Sequence, residues 1–381
     1  MPESKLPDTG TNIFSRMTAL ASRHRAINLS QGFPDFPAPE ALRQAMAGHA
    51  VKGHNQYAPL AGLPDLRETL AAQLVNDRGV DCDPEHEITI TPGATVAIYC
   101  AITACVNRGD EVILLDPCYD SYEPAITLSG GHAVHVPLDP GTFAPDWERI
   151  ESAVTPRTRL IIVNSPHNPT GTVLSRQDLR CLEDLVSRHD LLVISDEVYE
   201  YLVFDGASHH SVLQLEELRA RSFAVFSFGK TFGVTGWKTG YCVAPPALTA
   251  ELRKIHQFVC FVAVTPVQQA IADFLRDNPG YPGELAADYQ ARRDIFCAAL
   301  ADSRFHVRPS AGTYFLLLDY SAVSDEPDSL LCEQWTREHG VASIPISVFS
   351  QTPDPRQRLL RFCFAKQQSQ LEEAAQRLCR I

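Results

Sequence analysis

Ser227-Phe228-Gly229-Lys230-Thr231-Phe232-Gly233-Val234-Thr235-Gly236-Trp237-Lys238 is the stretch on which the reading turns. It follows the apolar run Phe223-Ala224-Val225-Phe226, which reads as a strand, so Lys230 falls just past a strand's carboxyl end. A lone lysine is ordinarily a solvated surface charge. This one is flanked by small and aromatic residues and has no acid close in sequence. A lysine held there loses solvation, its pKa falls, and its free amine can attack a carbonyl to form an imine. Ser227 and Lys238, with three glycines between them, supply donors for an anion and room for its approach to the backbone.

Working outward, the middle of the chain alternates strand and helix. Ile88 to Thr91 reads as a strand, Thr95 to Val106 as a helix, and Glu111 to Leu115 as the next strand. Arg159 to Asn164, Leu191 to Ser195 and Phe223 to Ser227 read as further strands. Ser175 opens a helix with Asp178 as its capping-box partner, and Leu179, Leu182, Leu185 and Val186 mark one apolar face. Near-continuous apolar strands between amphipathic helices predict an α/β fold with a mainly parallel sheet covered on both faces. From about Tyr281 the pattern changes: a long helix over Leu285 to Leu300, then strands at Tyr314 to Leu318 and Leu359 to Phe364. That tail reads as a smaller α+β domain.

Ligands of such sheets sit at the carboxyl ends of the strands. Asn168, Asp196 and Lys230 all fall there, 28 and 34 residues apart, close to one strand-helix-strand repeat. Alone, Asp196 could be no more than a helix cap. With Lys230 downstream it becomes the partner for a protonated pyridine nitrogen, and Tyr199 a donor to a ring phenolate, unless it is a packed core tyrosine. Asn168, held between Pro166 and Pro169, can donate to the ring oxygen and to a carboxylate. His167 is a weak candidate for acid-base work because the lysine already supplies a base. Gly93-Ala94-Thr95 opens a helix whose free N–H groups favour a phosphate. Tyr119 could stack on a ring, or be a plain core aromatic. Arg361 is a lone cation inside the apolar run Leu359 to Phe364. It suits a carboxylate clamp, the bland alternative being an internal salt bridge. An imine-forming lysine beside an anion site, with an aspartate for a ring nitrogen, is what pyridoxal 5'-phosphate (PLP) requires.

Composition excludes other classes. The 381 residues are 45% hydrophobic and 21% charged, a globular profile with material for about two domains. A formal net charge of -13 without a basic cluster argues against nucleic-acid or anionic-membrane binding. Eleven scattered cysteines with no Cys-x-x-Cys pair suit neither a disulfide framework nor a zinc site, so no metal is expected and the thiols read as reduced, in a cytoplasm. The start, Met1 to Gly10, lacks the apolar core of a signal peptide, and no apolar run approaches a membrane span. Dinucleotide, P-loop, serine-hydrolase and zincin motifs are absent.

Asn164-Ser165-Pro166-His167-Asn168-Pro169-Thr170-Gly171, Ser195-Asp196-Glu197-Val198-Tyr199 and Ser227-Phe228-Gly229-Lys230-Thr231 together resemble class I/II aminotransferases of PLP fold type I. Asn28 to Phe36, Asn55-Gln56-Tyr57-Ala58-Pro59 and Thr235 to Tyr241 are similar to the bacterial methionine aminotransferases and the related kynurenine aminotransferases. The resemblance implies a large PLP-binding domain over 41–275, and a small domain over 276–381 joined by the arm 1–40. It implies Lys230 as the Schiff-base lysine and proton shuttle, and Asp196 on the pyridine nitrogen. Asn168 and Tyr199 would meet the phenolate oxygen, Tyr119 would stack on the ring, and Ala94, Thr95, Ser227 and Lys238 would hold the phosphate. Tyr57 would reach that phosphate from the second subunit of a homodimer. Arg361, Asn168 and the backbone of Gly32 would grip the substrate carboxylate. Lys238 stands where many aminotransferases have arginine, and Val96 where relatives often have glutamate. The implied reaction moves an amino group from methionine or an aromatic or apolar amino acid to a 2-oxo acid. A β-lyase acting on cysteine conjugates would share every cofactor residue. A PLP-sensing transcription regulator would need a basic helix-turn-helix segment, and none precedes Asn12.

Overall fold

The computed structural model describes residues 3–7 and 9–381. Its strands, in chain order, are β1 (Ile27–Asn28), β2 (Ile88–Thr91), β3 (Glu111–Asp116), β4 (His132–Pro137), β5 (Thr158–Asn164), β6 (Leu192–Asp196) and β7 (Ser222–Ser227). They continue with β8 (Gly240–Val243), β9 (His306–Arg308), β10 (Phe315–Asp319), β11 (Val341–Ala342), β12 (Ile344–Pro345) and β13 (Leu359–Cys363). Seven of them form one sheet in the order β2-β8-β7-β6-β5-β3-β4. Pairing is parallel from β7 through β6, β5 and β3 to β4. Only β8 runs against its neighbours, β2 and β7. The mainly parallel sheet expected from the sequence is therefore present.

The central strands are apolar on both faces because helices cover both. Ile161, Ile162, Val193, Ile194, Phe223 and Val225 are all buried. The helix Arg176–His189 is one of these covers. Ser175 caps it in a reciprocal box with Asp178, and Leu179, Leu182, Leu185 and Val186 face the core, as the spacing predicted. Two strands of this sheet were not anticipated. β4 lies at the sheet edge, half exposed and interrupted by His132 and His135, so it lacks the apolar run that marks its neighbours. β8 is four residues long and begins at a glycine. Asp196 also differs from expectation in a small way: it ends β6 rather than following it.

The second sheet, β12-β13-β10-β9, is antiparallel throughout, with β13 and β10 at its centre. β1 pairs in parallel with β11, so residues near the start of the chain join the tail. The long helix spans Tyr281–Ala299, beginning about a turn earlier than Leu285 because Pro282 and Gly283 are accommodated in its first turn. Among the described residues no helix is long and apolar enough to cross a membrane. All eleven cysteines are unpaired, and seven are buried, where a thiol packs as a small apolar group.

Candidate active site

Register decides what meets at the end of the large sheet. Asn164 and Asp196 lie abreast as the last residues of β5 and β6, and β7 ends beside them at Ser227. A cleft of about 190 Å³ opens there. It brings together Ala94, Thr95, Tyr119, Asn168, Asp196 and Tyr199 with Ser227, Lys230 and Lys238. Segments as far as 144 residues apart along the chain thus converge, from Ala94 at one extreme to Lys238 at the other.

Lys230 lies in the single-turn helix Phe228–Thr231 directly after β7. Burial pushes its amine down to about 8, the charge of Lys238 adds to this, and Asp196 opposes it. The amine donates to the Tyr314 hydroxyl at 2.9 Å. Asp196 is buried too, and burial pushes its carboxyl up to about 6, against the hydrogen bonds it accepts and the charge of Lys230. Tyr122 Oη donates to Asp196 Oδ2 at 2.6 Å, and the Val198 amide reaches Oδ1 at 3.4 Å. No cation stands within ion-pair distance of Asp196 among the described residues. A carboxylate buried in this way calls for a cationic partner, which a protonated ring nitrogen would be.

The opposite side of the cleft is built for an anion. Gly93, at φ +82°, turns β2 into the helix Ala94–Cys105, leaving the first N–H groups of that helix pointing at the cleft. The Lys238 amine lies 3.4 Å from where a Cβ on Gly93 would sit. Gly240 pairs with Ser227 across β7 and β8, and its own missing Cβ would lie 2.4 Å from the Phe226 carbonyl oxygen and 3.0 Å from the Ala94 amide nitrogen. Gly240→Ala must therefore push β8 and the helix start apart. It is expected to cost about 1–3 kcal/mol, read as a lower urea midpoint; an unchanged midpoint would show that this close approach is not needed.

Arg361 comes from β13 and is buried. Its Nη1 donates to Asn168 Oδ1 at 2.6 Å and its Nη2 to the Ser30 carbonyl at 3.2 Å. Its Nε has no hydrogen-bond partner. The rings of Phe315, Phe349 and Phe14 lie 3.9, 5.0 and 5.3 Å from the guanidinium. Burial pushes its pKa down to about 10. No acid lies within ion-pair distance among the described residues, so the internal salt bridge allowed by the sequence is not what holds it. Asn168 is itself fixed by Asn164, whose Oδ1 accepts from its amide N–H at 2.7 Å.

Gly32 stands beside this group rather than in the cleft lining. A Cβ there would lie 2.6 Å from the Phe315 ring, and its carbonyl accepts from Tyr314 Oη at 2.5 Å. The neighbouring Phe33 carbonyl accepts from Lys366 Nζ at 2.8 Å. Tyr57 is not brought to this chain's own cleft: it is 82% exposed and packs edge-on against Phe261. His167 is also outside the lining. It is bonded to Thr170 at 2.6 Å, and burial pushes its pKa down to about 4, which keeps it neutral.

Sequence reasoning missed three groups. Tyr122 gives no signal apart from helical spacing behind Tyr119. Tyr314 reads only as the start of a strand. The third is a buried ion network behind Asp196, in which Arg78 bonds Glu200 and His209 bonds Glu197 at 2.8 Å. Asp116, Cys118 and His135 also cluster at ligand spacing, but Asp116 already accepts from His135 and from the Gln351 amide, each at 2.8 Å.

Comparison with known proteins agrees with this arrangement. The chain is 50% identical to a methionine aminotransferase of Escherichia coli K12 over 99% of its own length and 98% of the relative's. It is 41% identical to a probable N-succinyldiaminopimelate aminotransferase of Mycobacterium tuberculosis, with 99% and 98% covered. It is 33% identical to human kynurenine–oxoglutarate transaminase 1, with 96% and 95% covered. The crystal structure of E. coli YbdL, reported with a methionine aminotransferase function, superposes with a TM-score of 0.98 over the whole of both chains. Members of this family generally depend on PLP. The family model for aminotransferase class I and II spans residues 24–378, and the chain belongs to that family.

Proposed function

We propose that this aminotransferase works with PLP and moves the α-amino group of methionine, or of aromatic and apolar amino acids, to a 2-oxo acid. One observation carries the reading. A buried carboxylate and a buried amine of lowered pKa line one cleft, and a buried guanidinium bonds Asn168 in the same lining; among the described residues neither the carboxylate nor the guanidinium has an ionic partner. A zwitterionic amino acid and a pyridine cofactor supply the missing charges. When bound, PLP supplies a conjugated, protonated ring that takes up the electron pair left as the α-proton departs.

The protein's own groups do the rest. Asp196 keeps the ring nitrogen protonated. Asn168 and Tyr199 would donate to the ring oxygen, and Tyr119 would cover the ring. The N–H groups at Ala94 and Thr95, with Ser227 and Lys238, hold the phosphate. Arg361 and Asn168, with the backbone near Gly32, orient the α-carboxylate. Lys230 Nζ is placed to take the α-proton and to give it back, so one amine would serve both half-reactions of a ping-pong cycle. The two sheets support a division into a large part over 41–275 and a small part over 276–381 with the arm 1–40. Tyr57 of the partner subunit completes the phosphate site in a homodimer. The exposed group of Tyr57, Phe261 and Phe258, the last 86% exposed, supports that second copy. A cytoplasmic enzyme suits the unpaired thiols.

Substrate choice follows from the rings around Arg361. Its guanidinium serves one carboxylate, and Phe14, Phe315 and Phe349 leave a second one without a partner. Burying an unpaired carboxylate costs several kcal/mol, on the order of a hundredfold in rate or more. Methionine and phenylalanine are thus expected to exceed aspartate by about a hundredfold in kcat/KM with one common acceptor. Kynurenine belongs in the same panel. Aspartate as the best donor would overturn the substrate assignment and leave amino transfer standing.

A further inference from the structure

We propose that Tyr314 is a catalytic partner of Lys230: its hydroxyl receives the Lys230 amine and holds it in the protonated form between the two proton transfers. This rests on the aminotransferase reading and adds a residue to it.

The hydrogen-bond directions are fixed by what each atom can do. Lys230 Nζ lies 2.9 Å from Tyr314 Oη, and Tyr314 Oη lies 2.5 Å from the Gly32 carbonyl oxygen. A carbonyl only accepts, so the phenolic hydrogen goes to Gly32. The lone pairs of Oη are then turned to the amine. An amine that has just taken a proton gains an N–H, and Oη is placed to accept it. The phenol keeps its own hydrogen throughout, so the proton on nitrogen goes back to carbon and nothing is lost to solvent.

The backbone is arranged to hold this hydroxyl still. Tyr314 is fully buried, with its ring edge-on to Tyr199 at 5.1 Å and against Tyr289 at 6.0 Å. The preceding Thr313 is β-branched and yet stands at φ +66°. Its amide is tied to the Leu202 carbonyl at 2.9 Å, and its hydroxyl accepts from the Phe315 amide at 3.1 Å. Left-handed backbone is unfavourable at a threonine, and such strain persists where surrounding structure enforces it. Here it delivers the Tyr314 ring to Lys230 and Gly32 at once.

The groups bearing on the amine charge are known. Asp196 and Cys363 favour the ammonium, Lys238 and Arg361 oppose it, and Tyr199 lies under the amine at 5.6 Å. Desolvation is the largest influence and leaves the amine at about 8. An accepting hydroxyl counters desolvation, so its removal lowers the pKa further.

Tyr314→Phe keeps the ring and deletes the acceptor. In the cofactor-free protein, acetic anhydride labelling of Lys230 against pH, read by peptide mass spectrometry, gives the amine's midpoint directly. The midpoint is expected to fall by about one pH unit in Y314F. In the PLP-loaded enzyme with methionine, kcat is expected to drop about tenfold or more while KM changes little, and the isotope effect from α-deuterated methionine to rise. A residue that only packs would move neither the midpoint nor the isotope effect. Should Y314F fail to fold, 3-fluorotyrosine at this position, a weaker acceptor of nearly equal size, is expected to shift the midpoint in the same direction. An unmoved Lys230 midpoint, or an unchanged kcat and isotope effect, overturns the proposal. Failure of the unaltered enzyme to transfer amino groups from any donor would strike the functional reading instead, since the labelling measurement does not involve turnover.

Discussion

Lys230→Ala is expected to abolish turnover while leaving the fold in place. The amine is the one group placed to move a proton in both directions, and loss of such a group costs at least about a thousandfold where no other base replaces it. No other base is placed to do so: His167 is held outside the lining, the Lys238 amine lies on the anion side beside Gly93, and Asp196 has Tyr122 on one oxygen and the Val198 amide near the other. The structural cost runs the other way. Lys230 makes a single side-chain hydrogen bond, to Tyr314, and its burial is unfavourable for a charged amine. K230A should therefore unfold at the same urea concentration as the unaltered protein, or slightly higher, and still retain PLP through the phosphate. Single-turnover absorbance with methionine reads the activity. Retention of more than a tenth of the normal rate would remove Lys230 from its assigned role.

Asp196→Ala is the second large effect. Among the described residues the carboxylate is the only acid in the cleft lining, and it ends β6 abreast of Asn164, where a ring nitrogen would meet it. Without it a buried pyridine has no counter-charge for its proton and loses it, so the electron pair has no sink. Several orders of magnitude in the half-reaction rate are expected, with a smaller loss of PLP retention, because the phosphate contacts are untouched. A change of less than about tenfold, equivalent to ~1.4 kcal/mol, would refute the assignment. Some loss of stability should accompany it, since Tyr122 loses its buried acceptor at a cost of about 1–3 kcal/mol.

The parts of this site that the sequence made legible are those set by local chemistry. Asp196 and Lys230 end apolar runs, so their place on the sheet could be read from burial alone, and the Ser175–Asp178 cap is a four-residue pattern. Arg361 was visible as a charge in an apolar strand. What it touches was not, because Asn168 is 193 residues away in sequence. Tyr314 escaped for the same reason. Nothing in Gly-Thr-Tyr-Phe reveals that its hydroxyl will meet a carbonyl 282 residues earlier and an amine 84 residues earlier. β4 was missed because an edge strand needs no continuous apolar run, and the direction of β8 leaves no trace in four residues. Tyr57 could be placed only by the family resemblance, since this chain alone leaves it on the surface.

The backbone at residues 30–33 has a consequence for how the protein is made. Three successive tethers fasten it, from Arg361 to the Ser30 carbonyl, Tyr314 to Gly32 and Lys366 to Phe33. β1 just before it waits on β11 for its only strand partner. A ribosome therefore releases this segment roughly 300 residues ahead of everything that will hold it. The large sheet can close in the meantime from neighbours in sequence, but the proposed substrate clamp is a contact of very high sequence separation and is expected to form last. A nascent chain stopped short of β13 would thus carry Lys230 and the phosphate donors without any grip on an amino acid. On that reading, competence to react arrives only with β13.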